Sequence, residues 1–292
     1  MLETGTLSHW LARGLRGHGL PVDVLDARQV HAVLKLQTNK TDANDARQLA
    51  GIARMGFCRP VSVSSEASQR QRILIKARAL LVRQRQATNS AIRGFLVSLG
   101  FRFPKGSKLL AGRVRGVLAE QPDLAVMIEP LLASAKAQTE QIDRLKREID
   151  TQAEELAASR LLLTVPGVGP MTALTFAATM GEAPRFAASR AVGAYLGLTP
   201  RRHQSGEMDY TGKISKQGDS LLRHLLFEAA NALLTLVRKA HPLKDWARRI
   251  RKRSSHKKAC VALARKLAVI MHRMLITGEP FRWSEAKKEM AV

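Results

Sequence analysis

Aromatic residues make up only 4% of this 292-residue chain, and acidic residues are outnumbered two to one by basic ones. There are two cysteines, Cys58 and Cys260, with neither the spacing of a disulfide framework nor that of a metal site. That scarcity excludes a stapled secreted scaffold and fits a reducing cytoplasm. No apolar run reaches the roughly 18–20 residues that cross a bilayer, and no signal-peptide pattern opens the chain. A membrane role is therefore not expected. Tandem repeats and low-complexity segments are also missing. What is present is charge: 48 Lys and Arg against 24 Asp and Glu, a net +24. Self-repulsion of that size opposes compaction, so a polyanionic partner is expected, and nucleic acid fits better than an anionic membrane. With 45% hydrophobic residues, the chain still has enough apolar surface for a core.

The hydrophobic pattern divides the chain into three regions. Residues 1–62 read as mixed α/β. A helix spans about Thr4 to Arg16 with Leu7, Trp10, Leu11 and Leu15 on one side, a short strand covers Val22 to Leu25, and helices follow from Ala27 and from Asp42 to Met55. Residues 63–158 hold two long helices. The first, about Ser68 to Leu99, carries a near-heptad stripe of Ile73, Ala77, Leu80, Leu81, Ala87, Ile92, Phe95 and Leu99. The second, about Leu124 to Ala157, carries Ile128, Leu132, Ala135, Ile142, Leu145 and Ile149. An antiparallel hairpin and a coiled-coil dimer contact both satisfy this pattern. Residues 159–292 read as mostly helical, with Leu221 to Val237 and Cys260 to Leu275 the clearest helices. The expected fold class is mixed α/β, mostly α.

Four constellations can carry chemistry. In Lys40-Thr41-Asp42-Ala43-Asn44-Asp45-Ala46, Thr41 can cap a helix and set Asp42 and Asp45 three residues apart on its first turns. Two such carboxylates suit a hard divalent cation, and they equally favour the helix macrodipole. Glu3 can add a third carboxylate if the fold brings it close. The second, Thr164-Val165-Pro166-Gly167-Val168-Gly169-Pro170 ahead of an apolar helix, has the look of a helix-hairpin-helix turn. There Gly167 and Gly169 would let backbone amides hold a phosphate, although a purely structural helical hairpin reads the same way. The third is a polar connection from Gly197 to Gly218, in which Ser205 lies among Arg201, Arg202, Lys213 and Lys216. These cations could stabilise charge at a phosphoryl centre attacked by a serine. Tyr210 and Ser215 are alternative nucleophiles. The fourth is the basic run holding Arg248, Arg249, Arg251, Lys252 and Arg253, a solvated face or a backbone-binding segment. The histidines show no metal spacing, so no zinc is assigned.

Four blocks occur in order along the chain: Met1-Leu2-Glu3-Thr4-Gly5-Thr6, KTDANDA at 40–46, TVPGVGPMTA at 164–173, and a stretch from Arg185-Phe186 through AYLGLTPRRHQSG to KISKQGDSLLRHLL ending at Leu226. Together they resemble the one-ten/eleven-eleven family of bacterial insertion-sequence transposases. The resemblance implies an RNase H-like, resolvase-like amino-terminal domain at 1–62, a long-helix linker at 63–158 and a carboxy-terminal transposase domain at 159–292. It implies Mg²⁺ held by four carboxylates, with Glu3, Asp42 and Asp45 matching the second, third and fourth. It implies a serine nucleophile at Ser205 that forms a covalent serine–DNA intermediate. Double-stranded DNA of element ends and target, a structured guide RNA, a homo-oligomeric complex and a cytoplasmic, nucleoid-associated setting follow from the same resemblance.

The family pattern opens upstream of the Glu3 match, with a strand carrying the first Asp in a stretch like Gly-Ile-Asp-Val. This sequence starts at Met1 without a counterpart and reads as an amino-terminally truncated or mis-started copy. Such a copy is expected to bind Mg²⁺ poorly and to leave its strand with an open edge. Two other functions fit the same residues: a noncatalytic nucleic-acid-binding remnant and a junction-resolving nuclease.

Overall fold

The computed structural model describes residues 1–34, 41–56, 60–104, 106 and 109–283. Lys40 of the KTDANDA block and Cys58 lie outside the described residues. The chain forms two compact units, Met1–Glu66 and Ala67–Val292.

The first unit is built on a parallel strand pair. Strand β1 (Leu2–Glu3) leads through helix α1 (Ser8–Gly17) to β2 (Val24–Leu25), with Leu2 opposite Val24 and Glu3 opposite Leu25. Parallel neighbours need such a crossover, because a tight turn can only reverse the chain. Helices α2 (Ala27–Leu34) and α3 (Asp42–Met55) follow. Ala12, Val22 and Val24 form one small core, and Leu25, Val30 and Ile52 form another. The strand at Leu2–Glu3 was not legible because two residues carry no periodicity. The face expected for α1 is corrected: Ser8 and Ala12 are buried, whereas Leu7 and Trp10 are exposed. A two-stranded sheet covers only a narrow strip of helix, and the small side chains let that strip sit close.

Helix α3 begins as its sequence demands. Thr41 is extended, and its side chain accepts a hydrogen bond from the Asn44 amide at 3.2 Å. Removing that acceptor in Thr41→Ala should cost about 1 kcal/mol. Amide exchange along α3 should then accelerate about fivefold.

The second unit opens with an antiparallel helical hairpin. Helix α4 (Glu66–Ser98) and α6 (Pro122–Glu155) are bridged by α5 (Leu110–Glu120), a helix the hydrophobic pattern did not announce. Ile75 clusters with Ile149 and Ala153 at one end, and Ile92 and Leu96 cluster with Ile128 and Leu132 at the other. Between them Arg85 donates to Thr139 at 3.4 Å. Burial pushes the Arg78 guanidinium below its ordinary value, with Arg85 adding to the effect. The α6 stripe holds apart from half-buried Leu145, but the α4 stripe is corrected. Of its residues only Ile92 is buried, while Ile73, Leu80, Phe95 and Leu99 are exposed. α4 turns its arginine-bearing face toward α6, and a count of apolar positions cannot see that choice.

The remaining elements enclose the main core: α7 (Ala157–Leu163), α8 (Pro170–Met180), a 3₁₀ turn (Ala183–Arg185), α9 (Ala191–Tyr195), strands β3 (Pro200–Ser205) and β4 (Met208–Ile214), then α10 (Ser220–Thr235), α11 (Pro242–Arg253) and α12 (His256–Thr277). Phe176, Leu222, Leu226, Leu263, Leu267 and Met271 lie at its centre. Each contributes about 1.5–3 kcal/mol by leaving water. The architecture is mostly helical with two small sheets. Among the described residues no helix is long and apolar enough to cross a membrane.

Candidate functional site

The region read as a polar connection is a β-hairpin. β3 and β4 pair antiparallel with His203 opposite Tyr210, Gln204 opposite Asp209 and Ser205 opposite Met208. Gly206 and Glu207 close the turn, and Gly206 takes φ +55. A two-residue loop with glycine first is a hairpin signature, and it was the signal available in the sequence. It was masked because the strands bury almost nothing and so lack apolar alternation. Ser205 therefore stands exposed at the tip of a ribbon.

The ribbon's root is closely packed and hydrogen-bonded. Gly197 and Gly218 both adopt left-handed backbone, and the chain segments on which they lie cross closely. The Lys216 amide donates to the Gly197 carbonyl at 3.1 Å, and the Ser215 amide donates to that of Thr199 at 2.9 Å. Lys216 itself sits at φ +57, an unusual conformation for a residue with a side chain. Arg223 clamps the crossing by donating to the carbonyls of Leu196 at 3.2 Å and Gly218 at 3.1 Å, and to that of Gln217. Neither Arg223 nor the crossing was anticipated.

The cations predicted around Ser205 are on the ribbon and its root, but two are engaged. Arg202 makes a two-pronged contact with Asp209 at 2.8 and 2.6 Å. That hydrogen bonding holds the Asp209 carboxyl below its usual range and raises the Arg202 guanidinium. Arg201 donates to the Ser215 carbonyl at 3.4 Å. Because strand side chains alternate, Ser205 shares a face with His203, Met208 and Tyr210, whereas Arg202 points to the other. Lys213 and Lys216 are at the far end of β4 and just beyond it.

Helix α11 carries the basic run. Leu243, Lys244 and Ala247 are buried, while Arg248, Arg249, Arg251, Lys252 and Arg253 are exposed. Arg251, Lys252 and Arg253 lie in the last turn, where they also complement the helix dipole. His241 caps this helix, its Nδ1 accepting from the Leu243 amide at 3.1 Å. Burial pushes its imidazole below the ordinary 6.5, outweighing nearby Asp245. The unfolded chain therefore takes up this proton first. The cap's contribution is complete above about pH 6.5 and is lost as pH falls from there through the folded pKa. Wild-type stability should thus decline on acidification through this window. His241→Asn, which keeps a capping acceptor without the titration, should flatten the decline in urea unfolding measured at several pH values.

In the turn between α7 and α8, Gly167 takes φ +86, and a Cβ there would lie 2.5 Å from the Ala229 carbonyl oxygen of α10. This glycine is required by packing. Gly169 has no such neighbour and lies at the start of α8. Beside it is a cleft of about 360 Å³ lined by Arg78, Lys146, Asp150 and Glu154. Its two carboxylates oppose a phosphate.

The three predicted acidic residues fall in the first unit. Glu3 is exposed on β1, and Asp42 and Asp45 occupy the first turns of α3. Carboxylate oxygens suit Mg²⁺. Yet among the described residues no three acidic, histidine or cysteine side chains gather into a metal-holding group. Among the described residues this placement does not close a ligand set.

Two family models match the chain. Residues 159–245 match the model described as Transposase IS116/IS110/IS902 family, and residues 1–100 match a second model described as transposase. The chain is 32% identical to the transposase for insertion sequence element IS1111A of Coxiella burnetii, over 97% of this chain and 78% of that protein. It is 28% identical to the transposase for IS1328 of Yersinia enterocolitica, over 96% of this chain and 84% of that one. Over 41% of its length it is 30% identical to the pilin gene-inverting protein of Moraxella lacunata, covering 38% of it.

Proposed function

Because the chain belongs to the IS116/IS110/IS902 family of insertion-sequence transposases, we propose that it cleaves and exchanges DNA strands with Ser205 as nucleophile. The observation that carries this reading is the exposed seat of Ser205 at the tip of a ribbon with a clamped root. An accessible hydroxyl on a fixed arm can approach a phosphodiester without unfolding its surroundings. The Ser205 Oγ attacks the scissile phosphorus, its proton passes to solvent, and the displaced sugar oxygen takes up a proton. A phosphoserine linkage conserves the energy of the broken bond. Attack by a hydroxyl of a second strand then releases Ser205 and completes the exchange.

The basic residues serve the duplex. Arg201, Lys213 and Lys216 near the ribbon root, and Arg248, Arg249, Arg251, Lys252 and Arg253 on α11, would neutralise backbone phosphates, a contact that positions DNA without reading its sequence. Arg202 would join them once released from Asp209. Of the two glycines in the turn read as a helix-hairpin-helix, Gly167 is taken up by packing, and a phosphate at Gly169 would need Arg78 and Lys146 to offset Asp150 and Glu154. The parallel β1–α1–β2 crossover supports reading residues 1–62 as part of an RNase H-like domain, with 63–158 as linker and 159–292 as transposase domain. Glu3, Asp42 and Asp45 would supply oxygen ligands to Mg²⁺ in that domain. A homo-oligomer is supported by Ile73 and Leu80, which lie one heptad apart and exposed on α4. A structured guide RNA accords with the charge of +24.

The test is a Mg²⁺-dependent exchange assay on element-end DNA, with and without the flanking RNA. Protein–DNA adducts that vanish in Ser205→Ala support the reading. Salt-sensitive binding without product would indicate a noncatalytic remnant, and cutting without adducts would indicate a nuclease.

A further inference from the structure

The ribbon carries a feature that strand cleavage alone does not require. His203 and Tyr210 face one another across the strands with ring centroids 4.9 Å apart and planes 17° from parallel. Both are exposed, Tyr210 at 59% of its surface. In a chain with two tyrosines and 4% aromatics, an aromatic pair displayed to solvent on an unpacked ribbon is a conspicuous placement. Stacking covers one face of each ring, and the exposure leaves the outer faces available.

The pair lies on the same face as Ser205. His203 is two residues from it, about 7 Å along the strand. Arg201, Lys213 and Lys216 bring positive charge to the ribbon and its root, while Asp209 is neutralised by Arg202. Aromatic faces beside cations form a surface complementary to an unpaired base on an anionic backbone.

We propose that the His203–Tyr210 pair is a stacking platform for an unpaired DNA base next to the scissile phosphate. It would hold the duplex locally open while Ser205 reacts. This rests on the reading that the ribbon faces DNA, but its test requires no chemistry. Tyr210 would then act through its ring rather than as a nucleophile.

The test uses the full chain carrying Ser205→Ala, with a mixed-sequence single-stranded DNA oligonucleotide containing 2-aminopurine as the fluorescent probe. Tyr210→Val keeps a strand-forming residue without a ring and should weaken single-strand binding about five- to hundredfold. Tyr210→Phe keeps the ring and should stay within about twofold of the parent. Affinity for the blunt duplex of the same sequence should be unchanged in both. Circular dichroism confirms folding of each variant. Equal loss on duplex and single strand, no loss in Tyr210→Val, or loss confined to the RNA version of the probe would each overturn the proposal. Failure of the serine assignment shows separately, as adducts that persist in Ser205→Ala.

Discussion

Ser205→Ala should lower strand exchange and adduct formation about 10³-fold or more, since a covalent route loses its only attacking atom. Stability should shift by less than about 0.5 kcal/mol, because the residue is exposed at a hairpin tip and supports no packing. The combination is diagnostic: a dead enzyme with an unaltered urea midpoint. Tyr210→Phe and Ser215→Ala test the alternative hydroxyls. Ser215 has its backbone tied to Thr199 and Arg201 at the ribbon root, so its replacement should leave adducts intact. Persistence of adducts in Ser205→Ala together with their loss in Ser215→Ala would reassign the nucleophile.

The second large effect is expected at the ribbon root. A Cβ on Gly197 would lie 2.3 Å from the carbonyl oxygen and 2.4 Å from the amide nitrogen of Gln217. On Gly218 it would lie 2.2 Å from the Tyr195 carbonyl oxygen. These neighbours are backbone and cannot rotate aside, and both glycines also need left-handed φ. Gly197→Ala should therefore destabilise the second unit by about 4 kcal/mol or more, beyond the ordinary range for single substitutions. If the crossing opens instead, the loss should appear as faster amide exchange at Ser215 and Lys216 with the helical core intact. Gly206→Ala is the control. It has a similar φ but no atom within 4 Å of the added Cβ, so it should cost only the local strain.

Much of this could be read before the structure, and the reasons differ by element. The Thr41 cap and the start of α3 were legible because capping is a local event governed by neighbouring residues. The ends of the long helices were legible because their periodicity runs for many turns. Ser205 was placed by a motif and found on an exposed element. What escaped depends on partners distant in sequence. The buried face of α4 is chosen by α6, which accepts Arg78 and Arg85 in preference to the Ile73 and Leu80 stripe. The need for glycine at 197 and 218 arises only when two segments some twenty residues apart cross. The hairpin escaped for the opposite reason: with neither face buried, its strands have no alternation to detect, and only the Gly206-Glu207 turn betrays it.

The antiparallel helical pair also sets a length scale. Its two apolar ends, at Ile75 and at Leu96, are about 30 Å apart along α4 at 1.5 Å per residue. One end is seated against Leu174 of α8. The other opens onto a groove of about 340 Å³ between Phe95, Leu99 and Met127. The continuous helix therefore fixes the separation of that groove from α8, because a rod with unbroken backbone hydrogen bonds cannot shorten.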